Sequence, residues 1–142
     1  MKNLLLLILT ATTLFNCSEN PKNYIKHIDG YWEIKHVEKN NQLLKEYNVN
    51  MNIDYFEVDE EKLTGFRKKV TPTLEGKYVV NKHEIPFMLI IEDNELIIRY
   101  TANDIEYEES IVTATDEKLV IKNQEGIVYV YRPFKQININ YE

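Results

Sequence analysis

The side chains able to bind a metal, move a proton or attack a carbon are few in this chain and far apart. Its three histidines, His27, His36 and His83, are widely separated. None belongs to a His-x-x-x-His or His-x-His pair, the spacings that set two imidazoles on one ion, so no metal ligand is assigned. His36 follows Trp32 and Ile34 at period two, and that parity predicts that it points into whatever the first strand encloses. The carboxylates are denser. The run Asp104-Ile105-Glu106-Tyr107-Glu108-Glu109 puts Asp104, Glu106 and Glu108 on one strand face. Calcium needs about six to eight oxygens wrapped around it, and a straight strand offers a row. That row is expected to face water, opposite the basic Arg67-Lys68-Lys69 segment. No Ser/His/Asp or Cys/His spacing stands out and there is no Gly-rich phosphate loop. No catalytic residue and no cofactor is therefore assigned, and an enzyme is not expected.

The aromatic residues carry more weight, since the chain has 10 tyrosines and 5 phenylalanines. Tyr55, Tyr78, Tyr100 and Tyr107 are expected to alternate inward with Phe66 and Phe87, giving a wall of rings and hydroxyls. With His36 they form the candidate ligand-binding set, because a small-molecule site is an apolar pocket with a few placed polar groups. The same rings could instead fill a barrel too small to be hollow. Both readings stand at this point.

The elements that must position these residues are strands. From Tyr31 onward, short segments rich in Ile, Val, Tyr, Phe and Thr are broken by polar turns, the composition of β-structure. Strands are predicted over residues 31–38, 52–58, 64–71, 75–80, 85–92, 95–101, 105–115, 118–122 and 127–132. Glu92-Asp93-Asn94, Asp116-Glu117 and Asn123-Gln124-Glu125-Gly126 read as hairpin loops. Connections this short make neighbours antiparallel, and no segment is long enough for βαβ crossovers. Leu96, Ile98 and Tyr100 share one face and Glu95, Ile97, Arg99 and Thr101 the other. One face of the sheet must therefore be dry. An up-and-down meander of about eight strands buries one face by curling until its edges meet. The predicted fold is all-β, a small closed antiparallel barrel, with a two-sheet sandwich as the alternative.

The N-terminus carries an address. Lys2 precedes the apolar run Leu4 to Leu9, which continues to Phe15 and is too short to span a bilayer at about 20 residues. Leu14-Phe15-Asn16-Cys17 resembles a bacterial lipobox, although Phe15 and Asn16 stand where smaller residues are usual. Lipoproteins of the Bacteroidetes are looser there. The resemblance implies a signal peptide over residues 1–16 and a diacylglyceryl group on Cys17, the only cysteine. It makes the thiol a lipid-attachment point, not a nucleophile. Each buried methylene adds about 0.8 kcal/mol of membrane affinity, so two or three acyl chains anchor stably. Residues 17–22 read as a polar tether, in which Ser18-Glu19 partly resembles a surface-export signal, and the leaflet is left open.

Within the domain, Gly30-Tyr31-Trp32 follows Tyr24, Ile25 and Ile28, which fit one short helical turn. Gly30 and Trp32 in this place resemble the Gly-x-Trp opening of lipocalins, and specifically of the lipocalin-like lipoproteins of Bacteroidetes. The resemblance covers residues 30 to 132, inside a domain expected over 23–133 with a tail at 134–142. It implies that Trp32 closes one end of the barrel and that Arg132, ending the last strand, covers it. Such a stack gains a cation–π contact of about 0.5 to 2 kcal/mol.

The net charge of −6 disfavours nucleic acid, whose phosphates are bound by clustered Lys and Arg. The expectation is a protein of the cell envelope, in the outer membrane through acylated Cys17, that binds a small apolar or amphipathic molecule without catalysis. The alternative is an accessory or inhibitor protein acting on an envelope protein through its barrel surface. It rests on Phe87-Met88-Leu89-Ile90-Ile91, apolar on both faces.

Overall fold

The computed structural model describes residues 19–80 and 83–136. The expected signal segment 1–16, Cys17 and residues 137–142 of the expected tail lie outside these. A 3₁₀ helix, Pro21–His27, precedes ten strands: β1 Gly30–Lys39, β2 Gln42–Glu46, β3 Ile53–Asp59, β4 Thr64–Pro72, β5 Tyr78–Val80, β6 Ile85–Glu92, β7 Glu95–Ala102, β8 Ile105–Thr115, β9 Lys118–Asn123 and β10 Ile127–Pro133. Every pairing is antiparallel. Eight strands form a ring in the order β1-β3-β4-β6-β7-β8-β9-β10, and β10 pairs back onto β1. The meander is thus a closed barrel and not a sandwich, which leaves no free edge on the ring. β2 and β5 stand off the ring, one paired to β1 and the other to β4.

Turn chemistry sets much of this register. Asn40-Asn41, Asp93-Asn94 and Asn103-Asp104 each hold two successive residues at φ between 50° and 63°. That is the type I′ geometry that two-residue hairpins require and that Asn and Asp tolerate best. β2 was not expected. Gln42-Leu43-Leu44-Lys45-Glu46 is exposed throughout and has no alternation to announce it; the Asn40-Asn41 turn folds it back onto β1. β5 is shorter than the expected 75–80 segment, because Thr73 to Lys77 make its turn.

Parity decides which side chains face the lumen, with two interruptions, while outward Ile53, Val70, Val120 and Val130 are buried as well. Leu96, Ile98 and Tyr100 point inward and are fully buried, as the alternation predicts. They meet Phe56, Phe87, Leu89, Ile111, Ala114, Leu119, Ile121 and Tyr131 in one core. Register shifts at Ile34/His36 and Ile111/Thr113 exchange the faces of β1 and β8 partway along. Beyond the first, Val37 takes the inward place opposite Tyr129, and His36 pairs with Val130 on the outer face.

The helix closes the end of the barrel where β1 begins. Pro21 stands in its first turn, and the Asn20 side chain caps it by accepting from Lys22 N at 3.0 Å. The helix starts two residues before the expected domain boundary. Ile25 and Ile28 join the core with Trp32, whose Nε1 donates to Ile28 O at 2.9 Å. Gly30, at φ +126°, makes the bend into β1, a backbone state that other residues rarely adopt. Arg132 does not cover Trp32. Its parity in β10 is outward, and its Nε donates to Glu33 Oε1 at 2.8 Å on the exterior. The expected cation–π closure is replaced by the helix itself, which caps the indole with Ile28.

Candidate functional site

The charged side chains turned into the barrel come from three strands: Asp54 from β3, Arg67 and Lys69 from β4, and Glu109 from β8. Pleating turns Arg67 inward, Lys68 outward and Lys69 inward again, so that Phe56 faces Arg67 and Asp54 faces Lys69 across the β3–β4 ladder. Arg67 Nε donates to Asp54 Oδ1 at 3.1 Å and Nη2 to Oδ2 at 3.0 Å, a two-point grip. Nη1 donates to Glu109 Oε2 at 3.1 Å and to the Tyr100 hydroxyl at 3.3 Å. Nη2 also donates to the Tyr131 hydroxyl at 2.9 Å. A guanidinium carries five N–H groups, and here every one has an acceptor. Tyr100 in turn donates to Glu109 Oε2 at 2.9 Å. Lys69, half exposed, brings Nζ to 2.7 and 2.8 Å from the two Asp54 oxygens.

Charge is balanced within this cluster. Burial alone would raise the Asp54 carboxyl; the positive Arg67, then Lys69, overcomes it and holds Asp54 below the usual carboxylate range. Burial also opposes the Arg67 charge, but Tyr131, Tyr100 and Asp54 keep it protonated. The Tyr100 and Tyr131 hydroxyls are pushed up by burial, against the pull of Arg67. Arg67 lies 5.1 Å from the Phe56 ring and Tyr107 stacks on Tyr100 at 4.6 Å, so rings surround the ions. The arrangement is a clasp joining five strands. The five Arg67 N–H groups are all taken within the clasp, which leaves none of them for a bound anion.

The residues expected to line a cavity divide between the two sides of the wall. Phe87, Tyr100 and Tyr107 are in the lumen, within the packed core and clasp. His36, Tyr55, Phe66 and Tyr78 are not. The β1 bulge puts His36 outside, where its Nε2 lies 3.8 Å from Glu38. Tyr55 falls between inward Asp54 and Phe56, and Phe66 beside inward Arg67, so both face out. They belong to an exterior ladder of rings: Tyr31 lies 4.7 Å from Tyr78 in a stack and 4.6 Å from Tyr55, and Tyr55 lies 6.0 Å from Phe66. Lys68 reaches over Phe66 at 4.8 Å and pairs with Glu84 at 3.2 Å. Burial, then the hydrogen bond to Glu57, pushes the Tyr55 hydroxyl up to about 12.

Asp54, Arg67, Glu109 and Tyr131 escaped the sequence reading as a site. Arg67 lies in a basic run and Glu109 in an acidic one, of which only the Asp104, Glu106 and Glu108 face is expected to meet water. The outward row behaves as expected at Glu108, which accepts from Arg99 Nε at 2.6 Å on the exterior. Glu109 has the parity of Tyr107, and that is the signal that could have found it. Among the described residues no group of three or more His, Cys, Asp or Glu is placed to hold a metal ion. Among the described residues, hollows of about 480, 620 and 480 Å³ open on the wall, and none of these is bordered by Asp54, Arg67, Tyr100 or Tyr131.

No protein-family model and no curated protein matches the chain. Two solved structures are similar to it. One is a lipocalin-like protein from Bacteroides uniformis ATCC 8492, 10% identical, TM-score 0.46, the match covering 76% of this chain and 99% of that one. The other is an uncharacterized protein from Bacteroides eggerthii DSM 20697, 16% identical, TM-score 0.46, covering 75% and 99%.

Proposed function

We propose that the chain is a lipoprotein of the cell envelope, held in the outer membrane by acyl chains on Cys17, whose barrel binds a small apolar or amphipathic molecule without catalysing a reaction. One observation carries the binding half: the ionised groups of the lumen satisfy one another, while hollows of ligand size open on the wall among the described residues. The ligand is therefore taken from outside the barrel, and the interior supplies the rigidity that fixes the wall. The anchoring half is supported by the lipobox-like Leu14 to Cys17 and by the lone thiol.

Feeding labelled palmitate to the producing bacterium tests the anchor. Label on the wild-type chain and none on Cys17→Ser is the expected result, and an unlabelled wild type overturns it. Thermal shift against a panel of amphiphiles tests the binding: a ligand at about 100 times its Kd adds about 2.7 kcal/mol. A panel that moves nothing contradicts it. A protein partner is the second reading, favoured by Met88, which stands 49% exposed on the outer side of β6, and by Ile91, 43% exposed toward the end of that strand. Recovery of the protein free of any partner from detergent-solubilised membranes would count against it.

A further inference from the structure

Beyond Trp32, β3 no longer pairs with β1. The parted strands leave a hollow of about 480 Å³ on the outer wall, within the roughly 300–1,000 Å³ of small-molecule sites. The loop between β2 and β3, the turn between β4 and β5 and the chain leaving β10 border it. Val49, Met51 and Leu74 stand there 79%, 78% and 75% exposed, an apolar group that the core does not cover.

The frame of the hollow is built by side chains. Asn50 Nδ2 donates to Ile34 O at 2.8 Å and to Glu33 Oε2 at 3.1 Å, pinning the middle of the β2–β3 loop. Arg132 Nη2 donates to Asn48 O at 3.3 Å while its Nε neutralises Glu33. Two donors then remain on the C-terminal side. Lys135 is exposed and has no ion partner among the described residues. Gln136 Nε2 is buried and finds no acceptor among the described residues. A buried donor left unpaired is costly, and an acceptor supplied from outside removes that cost. In a chain of net charge −6, the charge left over at this hollow is positive.

Resting on the reading of the protein as a binder of amphipathic molecules, we infer that this hollow takes a free amphipathic monoanion. Its carboxylate accepts from Lys135 and the Gln136 amide, and its alkyl chain covers Val49, Met51 and Leu74. The site is on the exterior, fully separate from the lumen clasp.

Decanoate below its micelle concentration is the probe, titrated into the full chain carrying ¹³C-labelled methionine methyls. Met51 borders the hollow and Met88, on the outer side of β6, is the control. The Met51 methyl should shift and saturate while Met88 stays still. Leu74→Asp and Lys135→Glu, both at exposed positions outside the strands, should each weaken binding at least tenfold, and decyltrimethylammonium should not saturate the site. Met51 and Met88 moving together without saturation, or equal binding of the cationic amphiphile, overturns the assignment. If Met51 ignores decanoate while the thermal-shift panel yields another ligand, the hollow is wrong and the broader reading survives. If nothing in that panel binds either, both fail.

Discussion

Asp54→Asn preserves the shape of a side chain that is 1% exposed and removes its charge. Two hydrogen bonds from Arg67 and the approach of Lys69 depend on that charge, and an asparagine amide would present N–H groups to donors. Lys69 is half exposed, so its pairing counts for at most about 1 kcal/mol. The Arg67 pair is buried, and removing one partner strands a guanidinium, at a cost of about 3–5 kcal/mol. At roughly 4 °C per kcal/mol for a domain of this size, Tm should fall by about 12–20 °C. Urea unfolding followed by the fluorescence of buried Trp32 would measure the loss directly. The folded Asp54 carboxyl titrates below its ordinary value of 3.8. Its contribution is therefore complete above the unfolded pKa and disappears as pH falls through the folded one. Wild type and variant should differ by the full amount at pH 7 and converge below about pH 4. A loss under 1 kcal/mol at pH 7, or one equally large at pH 3, would refute the clasp.

Three further changes probe the same wall. Arg132→Met should cost less than about 1 kcal/mol, because its ion pair with Glu33 is more than one-third exposed on the arginine side; Trp32 emission should be unchanged, and a shift would restore the stacking role that the fold denies it. Gly65→Ala should cost at least about 3 kcal/mol or prevent folding, since a Cβ would lie 2.1 Å from Glu57 O and 2.6 Å from Phe87 Cζ; a soluble variant with wild-type urea midpoint would contradict the packing. Tyr100→Phe leaves Glu109 without its hydroxyl donor and Arg67 Nη1 with one acceptor fewer, so a loss of about 1–3 kcal/mol is expected in the same assay.

The sequence was most legible where burial and alternation agree. Leu96, Ile98 and Tyr100 announce their inward face because β7 is unbulged and its outward positions are mostly polar. The Asp93-Asn94 turn announces its hairpin because both residues tolerate positive φ. β1 misleads for a physical reason: one irregularity after Ile34 moves His36 to the other face, and no residue type marks it. Tyr55, Phe66 and Tyr78 were misplaced because aromatic rings suit either side of a sheet. Outside, they pack on one another and under Lys68 instead of in the core. The clasp was hidden for a different reason. Arg67 finds Asp54 13 residues away on the neighbouring strand, but Glu109 42 away and Tyr131 64 away across the lumen, and those two only the curling of the sheet brings together. A charged run read by itself looks solvated, yet every second member of a strand points in.

Native mass spectrometry of the protein extracted from its own envelope tests anchor and ligand together. The expected mass includes acyl chains on Cys17 and a second, non-covalent addition of a few hundred daltons, lost in Leu74→Asp. A chain with a free thiol and no bound small molecule would contradict it.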